Sequence, residues 1–399
     1  MKRLFLFITA ILFWGIHSTS AHSDIPRKKV GLVLSGGGAK GMAHIGALKI
    51  IEEAGIPIDY VVGTSMGSII GGLYAIGYTP EQMDTMVRKQ DWSYLLSDRI
   101  SRSEKNMAER EVDEKYVISV PFSKKAIQDV TGGLIKGQNI GNLFSELTLG
   151  YHDSINFNKL PIPFACVSEN IVNGKEYNFH SGVLSTAMRA SMAIPGVFTP
   201  VRLDSMVLVD GGVINNYPVN VAKQMGADVI IGVDVQSELR PASELENAGE
   251  ILGQLIDLMG QDNYVKNVKE TDVYIKVNVK GYSAASFSKT AVDSLIHRGL
   301  VAAKSQEDAL MKLKKEIGLS EDYQPKRKIT YDPVEWIMIK NIYFKGLDEK
   351  DTRWVMKRCD LEENSFNSVQ RIKEATTIIL ANTNYSDVSY QLLQNEHGE

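Results

Sequence analysis

Two glycine-rich turns, each joining an apolar run to a helical pattern, constrain this chain more than any other feature. The run Lys29-Val30-Gly31-Leu32-Val33-Leu34 enters Ser35-Gly36-Gly37-Gly38-Ala39-Lys40-Gly41, and apolar residues then recur at helical spacing from Met42 to Ala54. A second run, Ile58-Asp59-Tyr60-Val61-Val62, enters Gly63-Thr64-Ser65-Met66-Gly67 and continues as Ser68-Ile69-Ile70-Gly71-Gly72-Leu73. A strand that turns abruptly into a helix at a serine has the layout of a nucleophile elbow. Gly63 and Gly67 remove the Cβ atoms that would clash in so sharp a turn, so the Ser65 hydroxyl is expected to stand exposed above a sheet at a helix N-terminus. Taken alone, G-x-S-x-G is a modest signal, because small residues also close ordinary strand-to-helix turns.

The triple glycine admits two readings: an oxyanion hole for acyl transfer, or a phosphate cradle, since Gly36-x-Gly38-x-x-Gly41 also fits the dinucleotide fingerprint. That fingerprint needs an acid at the carboxyl end of the next strand. Asp59 lies at the start of that strand and Gly63-Thr64-Ser65 at its end, which disfavours a dinucleotide. A general base for Ser65 is not supplied by an evident histidine. His17 and His22 border the start of the chain, His397 is terminal, His297 lies on a charged helix, and His152 and His180 fall in polar segments. His44, on the helix after the glycine loop, reads as a packed helix-face residue. Asp210, in Leu208-Val209-Asp210-Gly211-Gly212-Val213, is the better candidate: a carboxylate at the end of an apolar strand accepts the serine proton directly if its surroundings hold its pKa near the working pH. By itself Asp-Gly-Gly reads as a hairpin turn.

Taken together, these residues resemble the patatin-like phospholipase family. The matching pieces are Gly36-Gly37-Gly38-Ala39-Lys40-Gly41 as oxyanion loop, Gly63-Thr64-Ser65-Met66-Gly67 as elbow, Asp210-Gly211-Gly212 as the second dyad member, and Ser191-Met192-Ala193-Ile194-Pro195-Gly196-Val197-Phe198 as the family's fourth block. The resemblance covers residues 28–317. It implies a three-layer α/β fold with a mostly parallel central sheet and a Ser65/Asp210 dyad hydrolase of phospholipid or other acyl-lipid substrates, working without cofactor or metal. By the same resemblance Lys40 helps hold the glycine loop; a solvated lysine at a helix start is the competing reading. A non-catalytic module on the same scaffold is the alternative of a different class, and the intact Ser65 and Asp210 speak against it.

At 399 residues the chain exceeds one typical domain, so two are expected. A net charge of −4 gives no support for nucleic-acid binding through a basic surface. Cys166 and Cys359 lie far apart, indicating neither a disulfide framework nor a metal cluster, and Cys166 reads as a buried strand residue. Lys2-Arg3, the apolar run Leu4 to Ile16 and then Ser18-Thr19-Ser20-Ala21 have the parts of a secretory signal peptide over residues 1–21. The style of the leader is bacterial, which places the mature protein in a periplasm, on an outer membrane or outside.

Between the motifs, strands are expected at 163–169, 206–209 and 228–235, and helices at 184–192, 244–269 and 290–317. The apolar positions from Ile251 to Met259 read as core in preference to an acyl groove. Residues 91–137, where Arg99, Arg102, Lys105 and Arg110 mix with Trp92, Tyr94, Leu95 and Leu96, read as a lid meeting a lipid surface or as a solvated insertion. A linker is expected at 318–334. Beyond it, a strand ending in a turn at 337–347, helices at 351–358 and 368–380 and a strand at 387–392 make a small α+β unit over 335–399 that resembles a POTRA domain. The family's final strand would follow a turn at Asn395-Glu396-His397-Gly398, so the resemblance implies the front part of a longer protein that continues into an outer-membrane barrel.

Overall fold

The computed structural model describes residues 27–99, 135–246, 248–326 and 329–380, together with Val388, Tyr390 and Leu392. The signal peptide at 1–21, most of the lid at 91–137 with Arg102, Lys105 and Arg110, and most of the strand at 387–392 lie outside the described residues.

Eight strands form one sheet: β1 (Val30–Leu34), β2 (Tyr60–Thr64), β3 (Phe164–Asn170), β4 (Lys175–Phe179), β5 (Val201–Leu203), β6 (Met206–Asp210), β7 (Val229–Asp234) and β8 (Val273–Lys276). Their order is β8-β7-β1-β2-β3-β6-β5, with β4 paired to β3 off this path. Every pair from β8 to β3 is parallel. The pairs β3 with β6, β5 with β6 and β3 with β4 are antiparallel.

Side chains alternate across the sheet as the period of a strand requires. Leu32 and Leu34 enter the large cluster with Ile45, Leu48, Ile70 and Leu73, whereas Val33 and Val62 join Tyr217, Val219 and Val221 in a second cluster. Helices therefore cover both faces, and three layers result. The helices of this unit are α1 (Ala43–Glu53), α2 (Met66–Ile76), α3 (Pro80–Lys89), α4 (Trp92–Leu95), α5 (Gln138–Leu147), α6 (Leu184–Ser191), α7 (Val219–Gln224), α8 (Ala248–Met259), α9 (Gln261–Lys269), α10 (Lys289–Lys304) and α11 (Glu307–Glu316). Among the described residues no helix is long and apolar enough to cross a membrane.

The structure changes three of the expectations for the helices. The helix expected over 244–269 is two helices, α8 and α9, parted at Gly260, the residue of lowest helix propensity after proline. That over 290–317 breaks between Lys304 and Glu307, where the Ser305 hydroxyl donates to Ala302 O at 2.7 Å and competes with the helical backbone. Ile251, Leu255, Leu258 and Met259 are not core: all four are exposed, and nothing among the described residues covers them.

Beyond the sheet, β9 (Trp336–Ile339) pairs antiparallel with β10 (Ser365–Ser368), and α12 (Glu349–Cys359) packs on α13 (Val369–Leu380) through Val355, Cys359, Ala375 and Ile379. β10 was not expected: Asn364-Ser365-Phe366-Asn367-Ser368 holds a single apolar residue and shows no alternating pattern. α13 also meets α5, where Lys373 Nζ lies 2.9 Å from Glu146 Oε2 and Asn142 Nδ2 donates to Thr376 Oγ1 at 3.3 Å.

Tyr331, inside the stretch read as a linker, is buried against the first unit. Its ring stacks on Tyr78 at 4.6 Å, its hydroxyl accepts the Gly150 N–H at 3.2 Å and its own N–H donates to Gly77 O at 3.0 Å. A chain ended at residue 320 lacks these contacts and one ended at residue 334 keeps them. The shorter chain is expected to melt lower by roughly 5 °C, the shift that ~2 kcal/mol makes in a domain of this size, as read by calorimetry.

Candidate active site

Ser65 joins β2 to α2 with φ 53° and ψ −124°, a conformation that costs a residue with a Cβ on the order of 1–3 kcal/mol. The flanking glycines are required by contact as well as by turn geometry. A Cβ on Gly63 would lie 2.3 Å from Gly67 O, and one on Gly67 would lie 2.2 Å from Leu34 O. The turn is tied down on each side: Thr64 Oγ1 donates to Asn215 O at 2.8 Å, and Ser65 N–H donates to Ser191 Oγ at 3.0 Å. The Ser191 hydroxyl in turn donates to Val167 O at 2.6 Å.

Strand β3 brings the second residue to the first. Thr64 stands opposite Val167 and Asp210 opposite the next residue, Ser168, so the end of β2 and the end of β6 meet at adjacent rungs. The Ser65 hydroxyl donates to Asp210 Oδ2 at 2.7 Å, while Asp210 Oδ1 accepts the Gly212 N–H at 2.7 Å. Gly211 makes this turn possible, since a Cβ there would lie 2.3 Å from Val167 O. Ser65 does not stand exposed above the sheet as expected, and Asp210 is buried with it. Ser65 and Asp210 are each only 5% exposed, and Ser65 lines a cavity. Burial pushes the Asp210 carboxyl up from 3.8 to about 6, against the opposing pull of the Ser65 hydroxyl and the Gly212 N–H.

The glycine loop runs beside Ser65. Gly36 was expected among the oxyanion donors, but its N–H donates to Asn216 O at 3.1 Å and is therefore committed to the fold. The N–H groups of Gly37 and Gly38 have no partner among the described residues. Gly38 has φ 56°, and a Cβ there would lie 2.5 Å from Ala284 O. Gly41 lies against Met66, which a Cβ would approach to 2.3 Å. Lys40 Nζ donates to Ser237 Oγ at 2.9 Å, tying the loop to the segment after β7.

His44 is buried and neutral, its pKa pushed down to about 4 by burial, and its Nε2–H donates to Ser35 O at 2.8 Å. It braces the start of the glycine loop. Among the described histidines none hydrogen-bonds Ser65. The sequence reading gave no role to Ser191, Asn215 or Asn216. Ser191 opens the quoted block at Ser191 to Phe198, a usable signal; the two asparagines follow the Asp-Gly-Gly turn with nothing to mark them.

A cavity of about 590 Å³ opens from this point, within the usual range of ligand pockets, roughly 300–1,000 Å³. Gly38 and Ser65 contribute to its wall, and Met66, Ile69, Leu73, Leu143, Phe144 and Phe198 give it an apolar lining.

A serine on a strained strand-to-helix turn, a buried carboxylate at hydrogen-bond distance and two unpaired N–H groups on one glycine loop define the class: an α/β protein with a nucleophile-elbow site. Residues 32–223 match the profile of the family described as Patatin-like phospholipase. The chain is 34% identical over 232 residues to the patatin-like phospholipase domain-containing protein ZK370.4 of Caenorhabditis elegans, covering 57% of this chain and 15% of that one. It is 32% identical over 226 residues to the human patatin-like phospholipase domain-containing protein 6, covering 54% of this chain and 14% of that one. To the uncharacterized NTE family protein Mb1092c of Mycobacterium bovis it is 29% identical over 225 residues, covering 56% of this chain and 53% of that one. The chain thus spans between a seventh and a half of the curated relatives it matches.

The raised Asp210 pKa has a consequence for stability. Between about pH 4 and pH 6 the folded chain holds a proton that the unfolded chain has released, so stability falls as pH rises through that window and the cost is complete above it. Asp210→Asn carries no such cost, and its amide can accept from Gly212 and donate to Ser65 Oγ. At pH 8 the variant is expected to be more stable than the wild type by about 2 kcal/mol, with the difference closing toward pH 4, measured by urea unfolding across pH.

Proposed function

We propose that this protein is a serine hydrolase that cleaves acyl ester bonds of lipids, phospholipids among them. The observation that carries the reading is the 2.7 Å contact between Ser65 Oγ and Asp210 Oδ2 at the mouth of an apolar cavity. The coarse assignment, lipid hydrolysis, is supported by the family profile that residues 32–223 match.

In this reading the acyl chain lies in the cavity and brings its ester carbonyl to Ser65. Asp210, ionised above about pH 6, takes the hydroxyl proton as Ser65 Oγ attacks the carbonyl carbon. The oxyanion is met by the N–H groups of Gly37 and Gly38, and the positive end of α2 adds to its stabilisation. The protonated Asp210 returns its proton to the leaving alcohol oxygen, the ester C–O bond breaks and an acyl-Ser65 remains. Water then gives up a proton to Asp210 and attacks the acyl carbon. Collapse of that second intermediate frees the fatty acid, and the proton goes back to Ser65 Oγ. Each group ends as it began.

We also infer export, supported by the charged, apolar and small-residue parts of residues 1–21, and a POTRA-like unit from residue 335 onward. Together they favour a periplasmic or outer-membrane setting, with a membrane as the source of substrate.

Ser65→Ala and Asp210→Asn are each expected to lower kcat/KM on a short-chain ester at least about a thousandfold, and the double variant no further, because both losses disable one step. In the wild type kcat/KM should fall about tenfold per unit as pH drops below 6, since the base is then protonated. A fluorophosphonate should label Ser65 and leave Ser65→Ala unlabelled. Near wild-type turnover by Asp210→Asn would remove the dyad, and an unlabelled wild type would favour a non-catalytic module.

A further inference from the structure

A second cavity of about 220 Å³ lies beside the first. Val87, Gln90, Trp92, Ser93 and Phe287 line both, and so form the partition between them. Two of these residues are aromatic. The rings of Trp92 and Phe287 stack with centroids 5.0 Å apart and planes 28° from parallel. Each ring is anchored independently. Trp92 Nε1–H donates to Val87 O at 3.0 Å, and its short helix is capped by Asp91, which accepts the Tyr94 N–H at 3.1 Å. Phe287 is carried by the loop whose Ala284 O accepts the Ala39 N–H at 2.8 Å, so it is held to the same glycine loop that flanks Ser65.

The two chambers differ in character. Apolar side chains dominate the first, and the second is bordered by Arg88, Asp91, Lys289 and Val292. A chain that starts at Ser65 and fills the first chamber meets the stacked rings before it can reach the second. Resting on the reading that the cavity takes the acyl chain, we propose that the Trp92–Phe287 stack is the stop that sets the length of acyl chain this enzyme prefers. Val87 belongs to the buried core and Gln90 and Ser93 are small or flexible, so the length limit resides in the rings. Without one of them the chambers join, and methylenes that would have been left in water run along Val87, Val292 and the aliphatic stems of Arg88 and Lys289.

The test is kcat/KM over p-nitrophenyl esters from butyrate to stearate for the full chain, read as the long-to-short ratio within each protein so that a change in overall activity cancels. In Trp92→Ala and in Phe287→Ala the ratio is expected to rise about tenfold, the worth of roughly two methylenes newly buried. The double variant should rise no further, since one opening suffices. Trp92→Phe, which keeps a stacked ring, should retain the wild-type profile. Phe287→Ala carries the test alone if Trp92→Ala fails to fold, because Phe287 lies on a loop. An unchanged or lowered ratio in an active Phe287→Ala protein overturns the stop and leaves the hydrolase reading standing. A wild type that hydrolyses no ester of the series overturns both.

Discussion

Two adjacent rungs on β3 hold the site together. Because Thr64 is level with Val167 and Asp210 with Ser168, residues 145 apart in sequence come within hydrogen-bond distance. One strand serves as the ruler for both. The same rung is pinned a second time by Ser191, which takes the Ser65 N–H and gives its own proton to Val167 O. A slip of β6 by one residue would carry Asp210 to the opposite face of the sheet, away from Ser65. β6 runs antiparallel and pairs only with the carboxyl end of β3, Ser168 to Asn170, so its own last residue stops level with the carboxyl end of β2.

That arrangement is held at a cost. Ser65 occupies a strained backbone conformation, and Asp210 keeps a carboxylate almost wholly out of water with two hydrogen bonds to it among the described residues. Both penalties act in the direction of stability lost to reactivity: a serine in a relaxed turn would point elsewhere, and a solvated carboxylate would be too weak a base. The surrounding hydrogen bonds are directed to the backbone. Thr64 to Asn215, Gly36 to Asn216 and His44 to Ser35 each fix one strand end or loop, so the strain is met by several separate ties.

The sequence revealed the parts of the site and not their depth. Gly63, Ser65, Gly67, Asp210 and the glycine loop were legible because their spacing between apolar runs leaves few conformations open. Their burial was not legible, since it depends on what packs above the sheet: Met66, the pair Met192 and Phe198, and Ala284 come from three separate stretches. Gly36 was indistinguishable from Gly37 and Gly38 until its N–H was seen to go to Asn216 O. The apolar stripe from Ile251 to Met259 failed for the converse reason. Periodicity shows that a helix has an apolar face but not whether anything covers it. β10 failed because a strand that pairs through its backbone alone need not alternate.

Helix α5 connects the two units physically. One face of it, through Ile140, Leu143, Phe144 and Leu147, is a wall of the cavity that starts at Ser65. Its outer side carries Asn142 and Glu146, which meet Thr376 and Lys373 of α13. The residues are spaced so that the two sets fall on different sides of a helix, since Asn142 and Glu146 repeat at four residues while Ile140, Leu143 and Phe144 share the other stripe. An α-helix is stiff along its axis, and its packed face tolerates little displacement before side chains lose their fit. The position of the C-terminal unit on α5 is therefore a constraint on the cavity wall. The partly exposed ion pair contributes little to that docking by itself. What matters is that the apolar face is already fixed by the cavity lining, so the outer face of α5 presents one defined surface for α13 to meet.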